Sequence, residues 1–136
     1  DIRAAIETMC EASSRWVYLF WFAGTTIWEQ AMLDLWPKLH GKDYRLGPKA
    51  DVLFNVLYSM GICPNVETSR MEHVRRFPDL ESAVAEFREQ YGVVTPRQET
   101  VLRDYLAGTL SENCGDLLLS GVTTRVKLWW EVDGCR

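Results

Sequence analysis

Several things are scarce in this 136-residue chain, and each scarcity closes off a class of protein. Histidine occurs only at His40 and His73, and the four cysteines, Cys10, Cys63, Cys114 and Cys135, show no CxxC spacing, so no metal site is written here. Lys and Arg number 15 against 19 Asp and Glu. The net charge of −4 leaves no basic stripe to displace counterions from phosphate, which excludes a nucleic-acid partner. The one basic cluster, Arg70, Arg75 and Arg76, is diluted by Glu67, Glu72 and Asp79 and reads as a solvated sheet edge. No apolar run approaches the ~20 residues of a spanning helix, so no membrane partner is expected. Internal repeats and linkers are missing too, which leaves residues 1–136 as a single domain.

What the chain does have is apolar surface to bury. Hydrophobic residues make up 47% and charged ones 25%, a globular balance. A domain of this length buries roughly two-thirds of the surface its unfolded chain exposes. The six tryptophans are the compositional outlier, and two of them stand in WVYLFWFAG, Trp16 to Gly24. Eight uninterrupted apolar residues read as a strand buried on both faces, because a half-exposed strand would alternate polar with apolar. Such a strand needs neighbours on both sides. Cys10 falls on the apolar face of the helix before it and is expected as a free buried thiol, and no leader is expected before that helix. Reduced thiols and a cytoplasmic setting are the expectation.

Ile2, Ala5, Ile6, Met9 and Cys10 recur at helical spacing and predict a helix over 2–12, leading into a strand over 16–23. Thr26 and Glu29 form a T-x-x-E capping box that opens a helix over 27–36, which Pro37 helps end. A polar loop, 38–47, precedes Pro48, which stands at a plausible first helical position for a helix over 49–60 stopped by Gly61. Residues 66–76 alternate irregularly, as a strand with one solvated face does. Pro78 and Asp79 start a helix over 80–91 ended by Gly92, and Thr95, Pro96 and Gln98 open another over 96–110. In 122–132, Val122, Thr124, Val126, Leu128, Trp130 and Val132 share one face of a half-exposed strand, and Leu117 to Leu119 add a short strand before a Ser120-Gly121 turn. Three main strands flanked by five helices make the fold class α/β.

The segments PKADVLFNVLYSMGICPNVE (48–67), FPDLESAVAEF (77–87), TPRQETVLRDYL (95–106) and KLWWEVDG (127–134) resemble the tails of bacterial methyltransferase-like proteins. The element order is similar to the C-terminal half of a class I S-adenosylmethionine-dependent methyltransferase. That resemblance implies a partial doubly wound, Rossmann-like sheet whose fifth and sixth strands are parallel and whose seventh runs antiparallel between them. It also implies S-adenosylmethionine as the intact protein's cofactor and a small-molecule methyl acceptor as its substrate. The family's glycine-rich turn after the first strand is missing, since no G-x-G occurs anywhere, so this chain alone is expected to bind no cofactor and to be inactive. Asp1 then reads as a cut point inside a larger domain.

In doubly wound sheets ligands sit beyond the carboxyl ends of the parallel strands. By that rule Thr25, Thr26 and Trp28, at the end of the opening strand, line the substrate side of the intact enzyme's pocket, and Tyr44 and Arg45, with His40 nearby, lie in a loop that could cover it. Solvated loop and capping roles are the plainer reading of the same residues. No catalytic base is assigned, because alignment of a nucleophile with the sulfonium methyl supplies much of the rate. Cys63 or Cys114 with His73 lacks any sequence support as a nucleophile and base, Asn55 and Tyr58 read as helix surface, and Glu86 and Glu89 fall on a solvated helix face. The opening strand would lack the neighbour it has in a full sheet, and an exposed apolar edge pairs with other chains, so a homodimer or swapped oligomer is expected. The alternative is a self-standing protein-interaction or regulatory α/β domain that uses Trp16, Trp21 and Trp129.

Overall fold

The computed structural model describes residues 1–135. Its elements are α1 (Ile2–Ala12), β1 (Trp16–Phe22), α2 (Ile27–His40), α3 (Ala50–Ser59), β2 (Asn65–Phe77), α4 (Leu80–Tyr91), α5 (Pro96–Thr109), β3 (Ser111–Asn113) and β4 (Asp116–Glu131), closed by a 3-10 turn at Val132–Cys135. The fold is α/β, with five α-helices and a four-stranded sheet among the described residues. No helix among them is long and apolar enough to cross a membrane.

The strand order is β1-β4-β2, and β3 also pairs with β4. β1 runs antiparallel to β4, with Trp16 opposite Glu131 and Phe22 opposite Arg125. On the other side of β4, Asn65 donates to the Trp129 carbonyl, Glu67 pairs with Lys127, and Arg125 donates to Ser69. Each step of two forward on β2 is a step of two back on β4, so β2 is antiparallel to β4 and parallel to β1.

The chain divides into two compact units, one formed by Asp1–Thr25, Gly47–Met71 and the residues from Thr123 onward, the other by Thr26–Leu46 and Glu72–Val122. In the first unit, α1 begins where the Asp1 carboxylate accepts the Arg3 N–H at 3.0 Å, and it turns Ile6 and Cys10 inward. They meet Leu53 and Leu57 of α3, Val17 of β1, and Val126, Leu128 and Trp130 of β4. α3 starts at Ala50, two residues after Pro48, so Pro48 lies outside the helix and its carbonyl instead accepts the Trp21 indole N–H at 2.9 Å. Cys10 is disulfide-bonded, which corrects its expected free thiol.

β1 is an edge strand, as expected of a strand short of a neighbour, but the exposure of its rings corrects the expectation of burial on both faces. Val17 is buried, but Tyr18, Phe20 and Trp21 are 54%, 56% and 43% exposed. The apolar run marks a strand that only a further neighbour would cover.

In the second unit Leu35 and Leu39 of α2, Phe87 and Tyr91 of α4, and Leu102 and Leu106 of α5 pack with Phe77 and Leu119. α2 runs through Pro37 to His40. Burial of Leu39 outweighs the amide that Pro37 lacks, and Gly41, in the left-handed region, closes the helix by donating its N–H to the Pro37 carbonyl at 2.9 Å. β4 is longer than the 122–132 expected, because the turn expected at Ser120-Gly121 is absent and the strand continues through it. Gly121 is where Ile27 packs against the strand: a Cβ there would lie 1.9 Å from Ile27 Cγ2. Val122 and Thr124 are exposed rather than sharing burial with Val126, Leu128 and Trp130.

Candidate functional site

The carboxyl end of β1 is built in the first unit by a close approach of two backbones. The Ala23 N–H donates to the Thr124 carbonyl at 2.9 Å, carrying the ladder one residue past the strand. At Gly24 a Cβ would stand 2.9 Å from Thr123 Oγ1, so only glycine fits without displacement. Thr123 is buried with no hydrogen-bond partner for its hydroxyl, and Thr25 is exposed.

In the second unit, the Thr26 hydroxyl accepts the Glu29 N–H at 3.3 Å and donates to Glu29 Oε2 at 3.0 Å, while the same oxygen accepts the Thr26 N–H at 2.9 Å. The reciprocal cap occupies the side chain fully, and Thr26 is 1% exposed. Trp28, the half-buried second residue of α2, meets the His73 ring edge-on at 5.5 Å.

At the end of α2, Trp36 meets His40 at 4.2 Å and, beyond the helix, Tyr44 at 6.0 Å, with the rings tilted to one another. The His40 Nε2–H donates to the Tyr91 carbonyl at 2.9 Å, since a carbonyl can only accept. Tyr91 itself lies flat on Phe87 at 5.2 Å with its hydroxyl buried and unpartnered. Burial pushes its phenol up to about 12, with the Arg75 guanidinium working the other way and Tyr44 adding to the rise. Burial, then the Asp34 carboxylate, raise Tyr105 to about 12 as well, and its hydroxyl donates to Asp34 Oδ2 at 3.3 Å. Arg45 is exposed. The structure thus gathers Tyr44 and His40 with Trp36 and Tyr91, the last two unforeseen. The i, i+4 spacing of Trp36 and His40 was the available sequence signal, and nothing local points to Tyr44 or Tyr91.

Other candidates are accounted for locally. Glu86 pairs with Arg75, whose guanidinium lies 5.5 Å from the Phe77 ring and 5.2 Å from that of Phe87. Arg76 stands 3.9 Å from Asp116. Cys63 and Cys114 are exposed free thiols. An open cleft of about 520 Å³ at Arg88, Thr95, Glu99 and Arg103 carries two arginines, but Arg88 pairs with Glu99 and Arg103 with Glu81 and Glu99, so the cleft offers no free cation. No group of three His, Cys, Asp or Glu side chains gathers among the described residues.

The first unit holds an apolar cavity of about 160 Å³ between Ile6 and Met9 of α1, Leu19 and Trp21 of β1, and Leu53 of α3. Its wall is continuous with the exposed edge of β1. Phe20 on that strand faces the Arg125 guanidinium at 5.7 Å, and Lys127 stands 4.6 Å from the Trp129 ring. Neither a protein-family model nor a curated protein matches the chain.

Proposed function

We propose that this chain is the C-terminal part of an S-adenosylmethionine-dependent methyltransferase domain acting on a small molecule, inactive alone, which completes the sheet and shapes the acceptor pocket. The observation that carries the reading is the position of β4, which lies antiparallel between β1 and β2 while those two run parallel to each other. That is the arrangement expected at the closing end of a doubly wound, Rossmann-like methyltransferase sheet. The exposed β1 edge supports it too, since the strand that precedes it in such a sheet would cover Tyr18 and Phe20.

In this reading Trp28 and Tyr44 of the second unit offer the acceptor aromatic faces, and Arg45 gives it an exposed cation. Their contribution is to position the acceptor against a sulfonium methyl held by the rest of the domain. The disulfide-bonded state of Cys10 removes the reduced-thiol ground for a cytoplasmic setting.

The coding sequence upstream of Asp1 tests the assignment: a strand followed by a glycine-rich turn is expected, and a start codon directly before Asp1 would overturn it. Calorimetric titration with S-adenosylmethionine tests the inertness. No heat of binding is expected from this chain, and a micromolar affinity would place a cofactor site within it.

A further inference from the structure

We propose that the free edge of β1 pairs with the same edge of a second copy of this chain, antiparallel and centred on Leu19, so that two sheets join into one. The inference stands on the phase of the ladder and the pattern of the strand and holds for this chain by itself; a longer protein whose preceding strand covers β1 would leave this edge no place for a second copy.

The phase comes from two hydrogen bonds in register at the ends of β1. The Ala23 N–H donates to the Thr124 carbonyl at 2.9 Å, and the Val132 N–H donates to the Arg15 carbonyl at 2.8 Å. Antiparallel ladders alternate, so residues of the same parity as 15 and 23, including Val17, Leu19 and Trp21, turn their backbone groups towards β4. Tyr18 and Phe20 therefore turn their N–H and C=O groups outward, at a sheet edge that no other strand covers among the described residues.

The pattern is symmetric about Leu19. Tyr18 matches Phe20 one step out, Val17 matches Trp21 two steps out, and Trp16 matches Phe22 three steps out, with no charge, proline or glycine in the strand. Those are the devices by which edge strands avoid association, and β1 has none of them. A two-fold axis at Leu19 sets Tyr18 opposite Phe20 of the second copy and Phe20 opposite its Tyr18. All four outward groups on each strand's Tyr18 and Phe20 are then paired, and two exposed rings at 54% and 56% meet aromatic partners. A strand of unlike pattern, such as a charged peptide, would leave those rings in water. The symmetry of the interface makes it isologous and closed, which yields a dimer and not a fibre.

Light scattering on the purified chain at micromolar concentration is expected to give twice the chain mass. Phe20→Pro deletes an outward N–H and leaves the ladder to β4 intact, because position 20 donates nothing to it. Because symmetry counts each loss twice, the dimer dissociation constant should rise roughly 100-fold or more, with far-ultraviolet circular dichroism unchanged. Should that variant misfold, Tyr18→Lys keeps the backbone and places a charge on the edge, with the same expected loss of dimer. In hydrogen exchange the Tyr18 and Phe20 amides of the native chain should gain protection as concentration rises, while those of Leu19 and Trp21 stay protected throughout. A monomer at micromolar concentration, or a dimer that survives both substitutions as a swapped one would, overturns the proposal.

Discussion

Substituting Gly121 by alanine separates a strand that runs straight through this position from a turn placed there. The backbone at Gly121 is outside the left-handed region, so alanine can adopt it, and the obstacle is a single side chain. The new Cβ would lie 1.9 Å from Ile27 Cγ2 and 3.3 Å from Ile27 Cβ, well inside contact distance, with Ile27 held against the second unit's core. Overpacking of one methyl group costs about 1–3 kcal/mol. Against it, replacing glycine by alanine lowers the entropy of the unfolded chain, worth about 0.4–1 kcal/mol. The net expectation for Gly121→Ala is a loss of about 1–2 kcal/mol, read from the urea midpoint at unchanged slope. Ile27→Ala removes the clashing Cγ2, so in that background only the entropic term should be left, and Gly121→Ala should become neutral or stabilising. The double-mutant cycle isolates this reversal from whatever Ile27→Ala costs by itself. An equal loss in both backgrounds would refute the packing of Ile27 on the strand, and a gain in the native background would favour a turn.

Tyr91→Phe should stabilise the protein or leave it unchanged, by up to about 1 kcal/mol in urea denaturation, because the buried hydroxyl it removes has no partner. A loss above that size would mean that the phenol is hydrogen-bonded. Hydrogen bonds from Ser82 hold the Asp79 carboxyl below its ordinary 3.8, and a hydrogen bond from Arg103 holds Glu81 below its ordinary 4.5. Both folded values lie under the unfolded ones, so the stability these groups contribute is complete above the ordinary carboxylate range and is lost as pH falls through the depressed values. The urea midpoint should decline over that acid window, and Asp79→Ala with Glu81→Gln should flatten the decline. An unchanged acid limb in the double variant would exclude the two groups as its source.

The helices were legible because their ends are local. α1 and α4 begin and end at the residues expected, and α5 differs at one end by a single residue. The carboxylate of Asp79 and the boxes of Thr26 with Glu29 and Thr95 with Gln98 close within three residues of the cap, so four-residue windows contain the interaction. Pro37 and Pro48 misled for the opposite reason. The rule that proline ends or opens a helix is local, whereas the burial of Leu39 and the indole N–H of Trp21 that engages Pro48 come from elsewhere in the fold.

The candidate site divides in the same way. Trp36 and His40 can be read along one face of α2, but Tyr44 lies past its end and Tyr91 lies 51 residues from His40, and no spacing rule connects them. β3 and the Asp116–Ser120 part of β4 escaped as parts of one hairpin because three-residue β3 has no period to read, and its register exists only as pairing with β4.

By itself the sequence determined where α1, α4 and α5 start and stop to within a residue, that residues 16–22 form a strand, and that no apolar run is long enough for a spanning helix. Cap hydrogen bonds and apolar periodicity need only neighbouring residues, so they survive in a linear reading. The tertiary structure alone decided which residues stand opposite one another across the sheet and that Tyr18, Phe20 and Trp21 are left exposed on its edge strand. Hydrophobicity reports how much surface a strand must bury but not which strand lies beside it, and Tyr18 and Phe20 are exposed because that neighbour is a matter of topology.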